Sequence, residues 1–277
     1  IVAGQYGRIG GILIGSVPAS TTPGPALDPH AFVGPDGLFF GTPRVPALPH
    51  AGSGDVFVAM VSPTGDWAWA ARASGNDEDG AVAVAAHPDG GAYVTGTFKS
   101  SALRFDTPAF ASDPVLASGG LGDVFAAYVD GDGAWQWARK AGGAGDEGAE
   151  ALTVQRDGTA ALVGWSDTQP MTFDGYWHPQ QRLDAFQDSG GFAARIDRSG
   201  TWTWAKPLDD AKEQTATDVV ALRDGSLYVS GRFEGPTFTL QDPWYERLEL
   251  EVSNDFWAAY LVKLDADGSW SGLSRLE

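Results

Sequence analysis

One phrase, written four times at a nearly fixed spacing, decides which architectures are open to this sequence. "GDVFVAMVSPTGDWAWAARASG" begins at Gly54 and "GDVFAAYVDGDGAWQWARKAGG" at Gly122. Two looser copies follow. Phe57, Phe125, Phe192 and Tyr260 stand 68, 67 and 68 residues apart, and Trp67, Trp135, Trp202 and Trp270 keep the same steps. The Asp-Gly pairs at Asp89, Asp157 and Asp224 and the glycines Gly96, Gly164 and Gly231 step by 68 and 67. Agreement between landmarks of different chemistry marks a repeat protein, in which each copy is one structural unit leaning on its neighbours.

Each copy holds four strand signals. In the second, "AVAVAAH" runs through Pro88-Asp89-Gly90 into "AYVTGTF", and "DVFAAYV" turns at Asp130-Gly131-Asp132-Gly133 into "AWQWARK". Short β-prone runs joined by Asp-Gly turns read as hairpins, because glycine supplies the positive φ that such turns need. The third strand alternates. Phe57, Ala59 and Val61 share one face, as do Phe125, Ala127 and Val129, then Phe192, Ala194 and Ile196, then Tyr260, Val262 and Leu264. The other face carries Met60, Tyr128, Arg195 and Lys263. No segment shows a helical apolar stripe.

Four strands in about 68 residues without a helix are the unit of a β-propeller blade. The expected fold is therefore an all-β propeller domain over residues 1–277, with blades near 1–75, 76–143, 144–210 and 211–277. Trp69, Trp137 and Trp204 are expected to fill the gaps between blades, stacking on a sugar being their alternative role.

The first copy departs from the pattern twice. "IVAG" at Ile1–Gly4 aligns with "YVTG", so the first blade lacks its first strand. Either residues before Ile1 belong to it, or another segment completes it, or the four blades come from a larger propeller. The start has neither Met nor the profile of a signal peptide, and reads as a processed or trimmed end. An insertion dense in Pro and Gly, 8–37, reads as an extended loop, either functional or inert.

Composition narrows the partners. Asp plus Glu number 36 against 18 Lys plus Arg, a net charge of −18. Phosphate backbones and anionic lipid surfaces are repelled, so neither nucleic acid nor anionic membrane is an expected partner. No apolar run reaches the roughly 18 residues of a membrane helix, so an integral membrane protein is not expected. Cysteine is absent, which removes disulfides and thiolate metal sites.

"DVFVAMVSPTGDWAWA", the acidic "GDEGAEALTVQRDG" and "YVTGTF" together resemble the bacterial β-propeller repeat family of SBBP type. "LRFDTP" and "MTFDG" are similar to the versions found in secreted myxobacterial proteins. The resemblance covers nearly the whole chain outside the Pro-rich insertion, and the fourth copy departs from it by ending in "SWSGLSRLE". It implies a propeller that is secreted, periplasmic or displayed on a bacterial surface, with no shared catalytic residues.

The remaining chemistry is sparse. G-x-G-x-x-G at Gly143, Gly145 and Gly148 leads into a strand, whereas the dinucleotide fingerprint needs a helix. Asp130 with Asp132, and Asp265 with Asp267, have the spacing that opens many calcium loops, but also that of a plain hairpin turn. No closing Glu follows either pair. Glu78, Asp146 and Glu213 recur in step between blades, either bonding local backbone or forming a ring of carboxylates for a cation. The four histidines match no metal motif, and no nucleophile elbow is present.

The long excursions between second and third strands carry Tyr176, Trp177, Trp244 and Tyr245, with Trp177 and Trp244 separated by 67 residues. Aromatics so placed anchor partners, or form small local cores. The expectation is a non-enzymatic scaffold for a protein partner, or for other copies in an assembly, with no required cofactor and calcium as the one possible ion. A glycan-binding or glycan-cleaving propeller, its carboxylates drawn from different blades, is the alternative.

Overall fold

The structure is a computed structural model. It describes residues 12–18, 31–34, 37–40, 45–49, 51–62, 64–106, 115–167, 170–174, 181–184, 189–208, 213–240, 247–251 and 257–276. The chain divides into two compact units, residues 1–118 with 125–138, and 119–124 with 139–277. Among the described residues every regular element is a β-strand, and no helix is long and apolar enough to cross a membrane.

The first copy contains β1 (Ile12–Pro18), β2 (Ala31–Gly34), β3 (Gly37–Phe40), β4 (Leu48–Pro49), β5 (Gly54–Val61) and β6 (Trp67–Ser74). The second contains β7 (Asp79–Ala86), β8 (Ala92–Phe98), β9 (Leu103–Phe105), β10 (Val115–Leu116), β11 (Asp123–Val129) and β12 (Trp135–Gly142). The third runs through β13 (Glu147–Val154), β14 (Ala160–Ser166), β15 (Met171–Phe173), β16 (Gln181–Leu183), β17 (Gly190–Ile196) and β18 (Trp202–Leu208). The fourth has β19 (Glu213–Ala221), β20 (Leu227–Glu234), β21 (Thr237–Leu240), β22 (Leu248–Glu251), β23 (Trp257–Leu264) and β24 (Trp270–Leu276).

The expected four-stranded antiparallel sheets are present. β13-β14-β17-β18 and β19-β20-β23-β24 are complete, and β7, β8, β11 and β12 lie in the same order. The apolar face predicted for the third strand is the core. Phe125, Ala127, Val129, Phe192, Ala194, Ile196, Tyr260, Val262 and Leu264 are all fully buried. The recurrent glycine of the second strand serves this face. A Cβ on Gly96 or Gly164 would press on Phe125 or Phe192 and on the carbonyl of Gly80 or Gly148. Beside each of these glycines the first strand carries a β-bulge, between Ala81 and Ala83 and between Ala149 and Ala151. The glycine thus lets a large ring and a bulged carbonyl approach one point.

Two short strands per copy were not anticipated. The excursion after the second strand pairs with the outer strand of the preceding copy, through Ala73↔Phe105 and Ser74↔Arg104, then through Ala141↔Phe173 and Gly142↔Thr172. It then turns back as a hairpin, β9–β10 or β15–β16. Its alternate residues plug the core: Leu103 and Phe105, Met171 and Phe173, Phe238 and Leu240 are buried. Leu38 and Phe40 do the same in the first copy.

The first copy corrects two expectations. The strand beside β5 is β1, with Gly15 opposite Phe57 as Gly164 is opposite Phe192. "ILIG", not "IVAG", therefore holds the second-strand position, and Ile1–Gly4 lie outside the described residues. The insertion 8–37 is also not loop throughout, since β1 and β2 fall within it. β2 pairs with β3 along the edge that β9 and β15 give to a preceding copy's outer strand. The β-prone Phe-Val of "AFVG" and its backbone pairing with "GLFF" outweigh the local Pro and Gly content.

The second face of the sheets uses polar-tipped side chains. Trp69 lays its ring on Gly133 and donates from Nε1 to the Gly131 carbonyl at 2.9 Å. Trp204 lies against Gly268 in the same way, and Arg195 donates to the Ala266 carbonyl at 2.6 Å. For Trp69 and Trp204 packing against a neighbouring copy's turn is thus what the structure shows.

Candidate functional site

The acidic turns serve local structure. Asp130 Oδ1 accepts from the backbone N–H groups of Asp132 and Ala134, and Oδ2 accepts from Gln136. Asp267 Oδ1 accepts from the Ser269 backbone and hydroxyl, which hold its carboxyl below the usual carboxylate range. Asp265 accepts from Ser271 Oγ at 2.8 Å, and Asp132 lies on the rim of the Asp130 turn. The backbone bonds to Asp130 and Asp267 are Asx-type turn bonds, and those from Gln136 and Ser271 reach across the hairpin. Tyr176, Trp177, Trp244 and Tyr245 lie outside the described residues.

Two of the acids predicted to recur between copies each have a local partner. Glu78 pairs at the surface with Lys99, 2.8 Å from its Nζ. The backbone N–H of Asp146 donates to Asp167 at 2.6 Å. The residues that turn inward are their immediate successors, Asp79 and Glu147, both fully buried. Each meets a second buried acid at the start of a third strand: Asp55 for Asp79 and Asp123 for Glu147.

Backbone pairing builds this arrangement. Gly122 and Asp146 form a parallel bridge in which Glu147 N–H donates to the Gly122 carbonyl at 2.9 Å. The first residues of β11 and β13 are thereby held side by side, and both side chains point to Gly142. A Cβ on Gly142 would fall 1.7 Å from Asp123 Oδ1 and 2.7 Å from Glu147 Oε2, so only glycine leaves room for the two carboxyls. Asp123 Oδ2 accepts from the Gly119 N–H and lies 3.7 Å from Lys140 Nζ. Glu147 Oε2 accepts from the Gly143 N–H at 2.8 Å. Gly54 and Glu78 repeat the bridge in the first unit, where Asp79 accepts from Ser100 Oγ at 2.7 Å.

Burial penalises the charged form of Glu147, and the facing Asp123 charge adds to it, so its carboxyl is pushed up to about 8 against the pull of the Gly143 N–H. Asp79 is raised as well, by burial first and by Asp55 more weakly, with the Ser100 bonds opposing. Among the described residues no three His, Asp or Glu side chains converge as a metal-ligand set.

One repeat further on, Gly190 and Gln214 stand where Asp123 and Glu147 stand. Where one acid is missing its partner is an amide, so the two positions change together. The sequence carried the signal in "GDVF", "DEDG" and "GDEG", but a buried acid and an exposed one are neighbours there. Only strand direction tells them apart.

A second feature lies in the first unit. Pro46, Leu48, Pro49, Ala70, Arg72 and Asp106 border a cavity of about 500 Å³. Arg72 binds Asp106 through Nε at 2.8 Å and donates to the Pro49 carbonyl, so its charge is already satisfied.

No protein-family profile matches the chain. No curated protein matches it either. Among solved structures it is similar to a protein of unknown function from Bacteroides caccae, at 11% identity, over 79% of this chain and 89% of that one. The TM-score of 0.22 carries no argument about fold or function.

Proposed function

We propose that the chain is a β-propeller of SBBP-type blades and acts as a non-enzymatic scaffold, presenting the loops between second and third strands to a protein partner. One observation carries this reading. Each excursion has a constant base and a variable tip. The base is an apolar pair plugged into the core, and β9 and β15 are stitched to a preceding outer strand. The tips, "TPAFASDP", "GYWHPQ" and "QDPWYE", differ in length and at most positions, the last two sharing the equivalent Trp177 and Trp244. A rigid frame with divergent loops is the division of labour that binding scaffolds use. The resemblance to secreted repeats supports an extracellular, periplasmic or outer-surface location in a bacterium.

The glycan-cleaving alternative needs paired carboxylates open to a substrate. The pairs at hand, Asp55 with Asp79 and Asp123 with Glu147, are closed to solvent, which favours the scaffold. The decisive experiment is affinity capture with the native chain, followed by capture with each tip replaced by Gly-Ser linker. A protein lost with the tips supports the reading; retention by tip-less protein, or elution by free oligosaccharide, defeats it.

A further inference from the structure

The cavity of the first unit lies where one copy lacks a side chain that the next one has. Ala71 of β6 and Arg139 of β12 are equivalent, 68 residues apart, and each follows a tryptophan, Trp69 or Trp137, by two residues. Alternation along a strand sends both side chains to the face of that tryptophan, where Trp69 lies against Gly133. Arg139 donates from Nε to the Gly200 carbonyl at 2.7 Å. Burial opposes its charge, and the carboxylates of Asp174 and Asp197 support it. Each of these three residues has its counterpart one repeat earlier: Gly133 for Gly200, Asp106 for Asp174 and Asp130 for Asp197. The arginine has none, because position 71 is alanine.

Ala71 and Gly133 instead border the cavity of about 500 Å³, a volume within the range of ligand sites. Pro46, Leu48 and Ala134 give it apolar walls. Arg72 does not replace the missing side chain. It is equivalent to Lys140, leaves β6 on the opposite face, and is held by Asp106 and the Pro49 carbonyl. With Arg72 and Asp106 offsetting each other, Asp132 leaves the lining negative; the next copy has Ser199 at that position. We infer that this cavity is a receptor for an arginine side chain of a protein partner. A guanidinium matches a carbonyl beside a carboxylate, Gly133 and Asp132, and its stem matches the proline and leucine wall. The inference rests on the scaffold reading only for the source of the arginine.

The test titrates N-acetyl-arginine amide into the full 277-residue protein and follows backbone amide shifts by NMR. Saturable binding is expected at about millimolar, the range for a ligand of this size, with shifts centred on Ala71, Gly133 and Ala134. The citrulline analogue keeps the shape and loses the charge, and should bind at least about fivefold more weakly. Asp132→Asn should weaken binding about threefold, the worth of a solvent-facing charge pair. Ala71→Arg, which gives the first copy the residue of the second, should abolish binding while the melting temperature holds or rises. Absence of saturable shifts, shifts spread over the acidic surface without a centre, or equal binding of the citrulline analogue each overturns the inference. Unchanged binding by Ala71→Arg protein that melts like the parent does so too. Tighter binding of free arginine than of the capped form overturns the protein source, since a small metabolite then fits better. Tip replacement leaves every residue of the lining in place, so the scaffold reading and this one fail separately.

Discussion

Phe105 stands edge-on to Trp135, ring centroids 5.1 Å apart and planes at 86°. The same geometry recurs between Phe40 and Trp67 at 4.9 Å and between Phe173 and Trp202 at 5.2 Å. Each pair ties the excursion to the start of the fourth strand of its own copy. In the last copy Leu240 takes the place of the phenylalanine, in the core cluster that contains Trp270. Phe105→Ala should therefore cost about 3–5 kcal/mol, the usual loss for an emptied aromatic site. Phe105→Leu, which copies the fourth repeat, should cost less than about 1.5 kcal/mol. Urea denaturation measures both. A Phe105→Leu loss as large as that of Phe105→Ala would show that the ring contact, not the filled volume, carries the site.

The proton that buried Glu147 keeps makes stability depend on pH. Glu147 is raised from 4.5 to about 8 in the fold, so the folded chain keeps a proton that the unfolded chain releases. Its contribution is complete below about pH 4.5 and is lost as pH climbs through about 8. Asp79 acts in the same direction. Asp157, Asp224 and Asp267 are lowered and act oppositely, but only as acid is added through the carboxylate range. Melting temperature should consequently fall between about pH 5 and pH 9. Glu147→Gln, the residue found at position 214, should flatten that fall. It should raise the melting temperature at alkaline pH by on the order of 5 °C and change little near pH 5. An unchanged slope in the variant would remove the pair as its cause.

The repeat, the strand order and the buried face of the third strand were legible because they follow local alternation and turn chemistry. Phe125, Ala127 and Val129 are two residues apart, and that period needs no partner to be seen. The short strands β9 and β15 were not legible, since three residues carry no period and their partners lie in the preceding copy. "ILIG" and "IVAG" are both second-strand-like, and only pairing with β5 separates them. The acid pair was missed by one residue. Glu78 and Asp79, or Asp146 and Glu147, are equally polar in sequence, and the bridges at Gly54 and Gly122 decide which side chain turns inward.

Trp177 and Trp244 occupy equivalent places in excursions whose bases are built into the core. If they are binding anchors, Trp177→Ala with Trp244→Ala should weaken capture of the partner at least about tenfold, as loss of a hot-spot aromatic does. The melting temperature should then stay within about 2 °C of the parent, a surface-sized effect. Partner capture and a thermal scan on the same preparation distinguish the roles. A drop of many degrees with proportionate loss of capture would make them core residues.

Gly133 and Gly65 occupy equivalent hairpin turns with φ of 85° and 87°. They differ in what surrounds them. A Cβ on Gly65 would meet nothing within 4 Å, whereas on Gly133 it would sit 2.8 Å from the Trp69 ring. Gly65→Ala should thus cost only the backbone penalty of a left-handed non-glycine residue, about 1–2 kcal/mol. Gly133→Ala carries that penalty and also pushes the indole off the turn, breaking its bond to the Gly131 carbonyl. Its loss should be larger by about 1–3 kcal/mol, the range for overpacking a filled site. Chemical denaturation of the two single variants gives the difference directly. Adding Trp69→Ala to each makes it a cycle: the excess at Gly133 should vanish when the ring is gone, and its persistence would show that the backbone, not the tryptophan, sets the requirement for glycine.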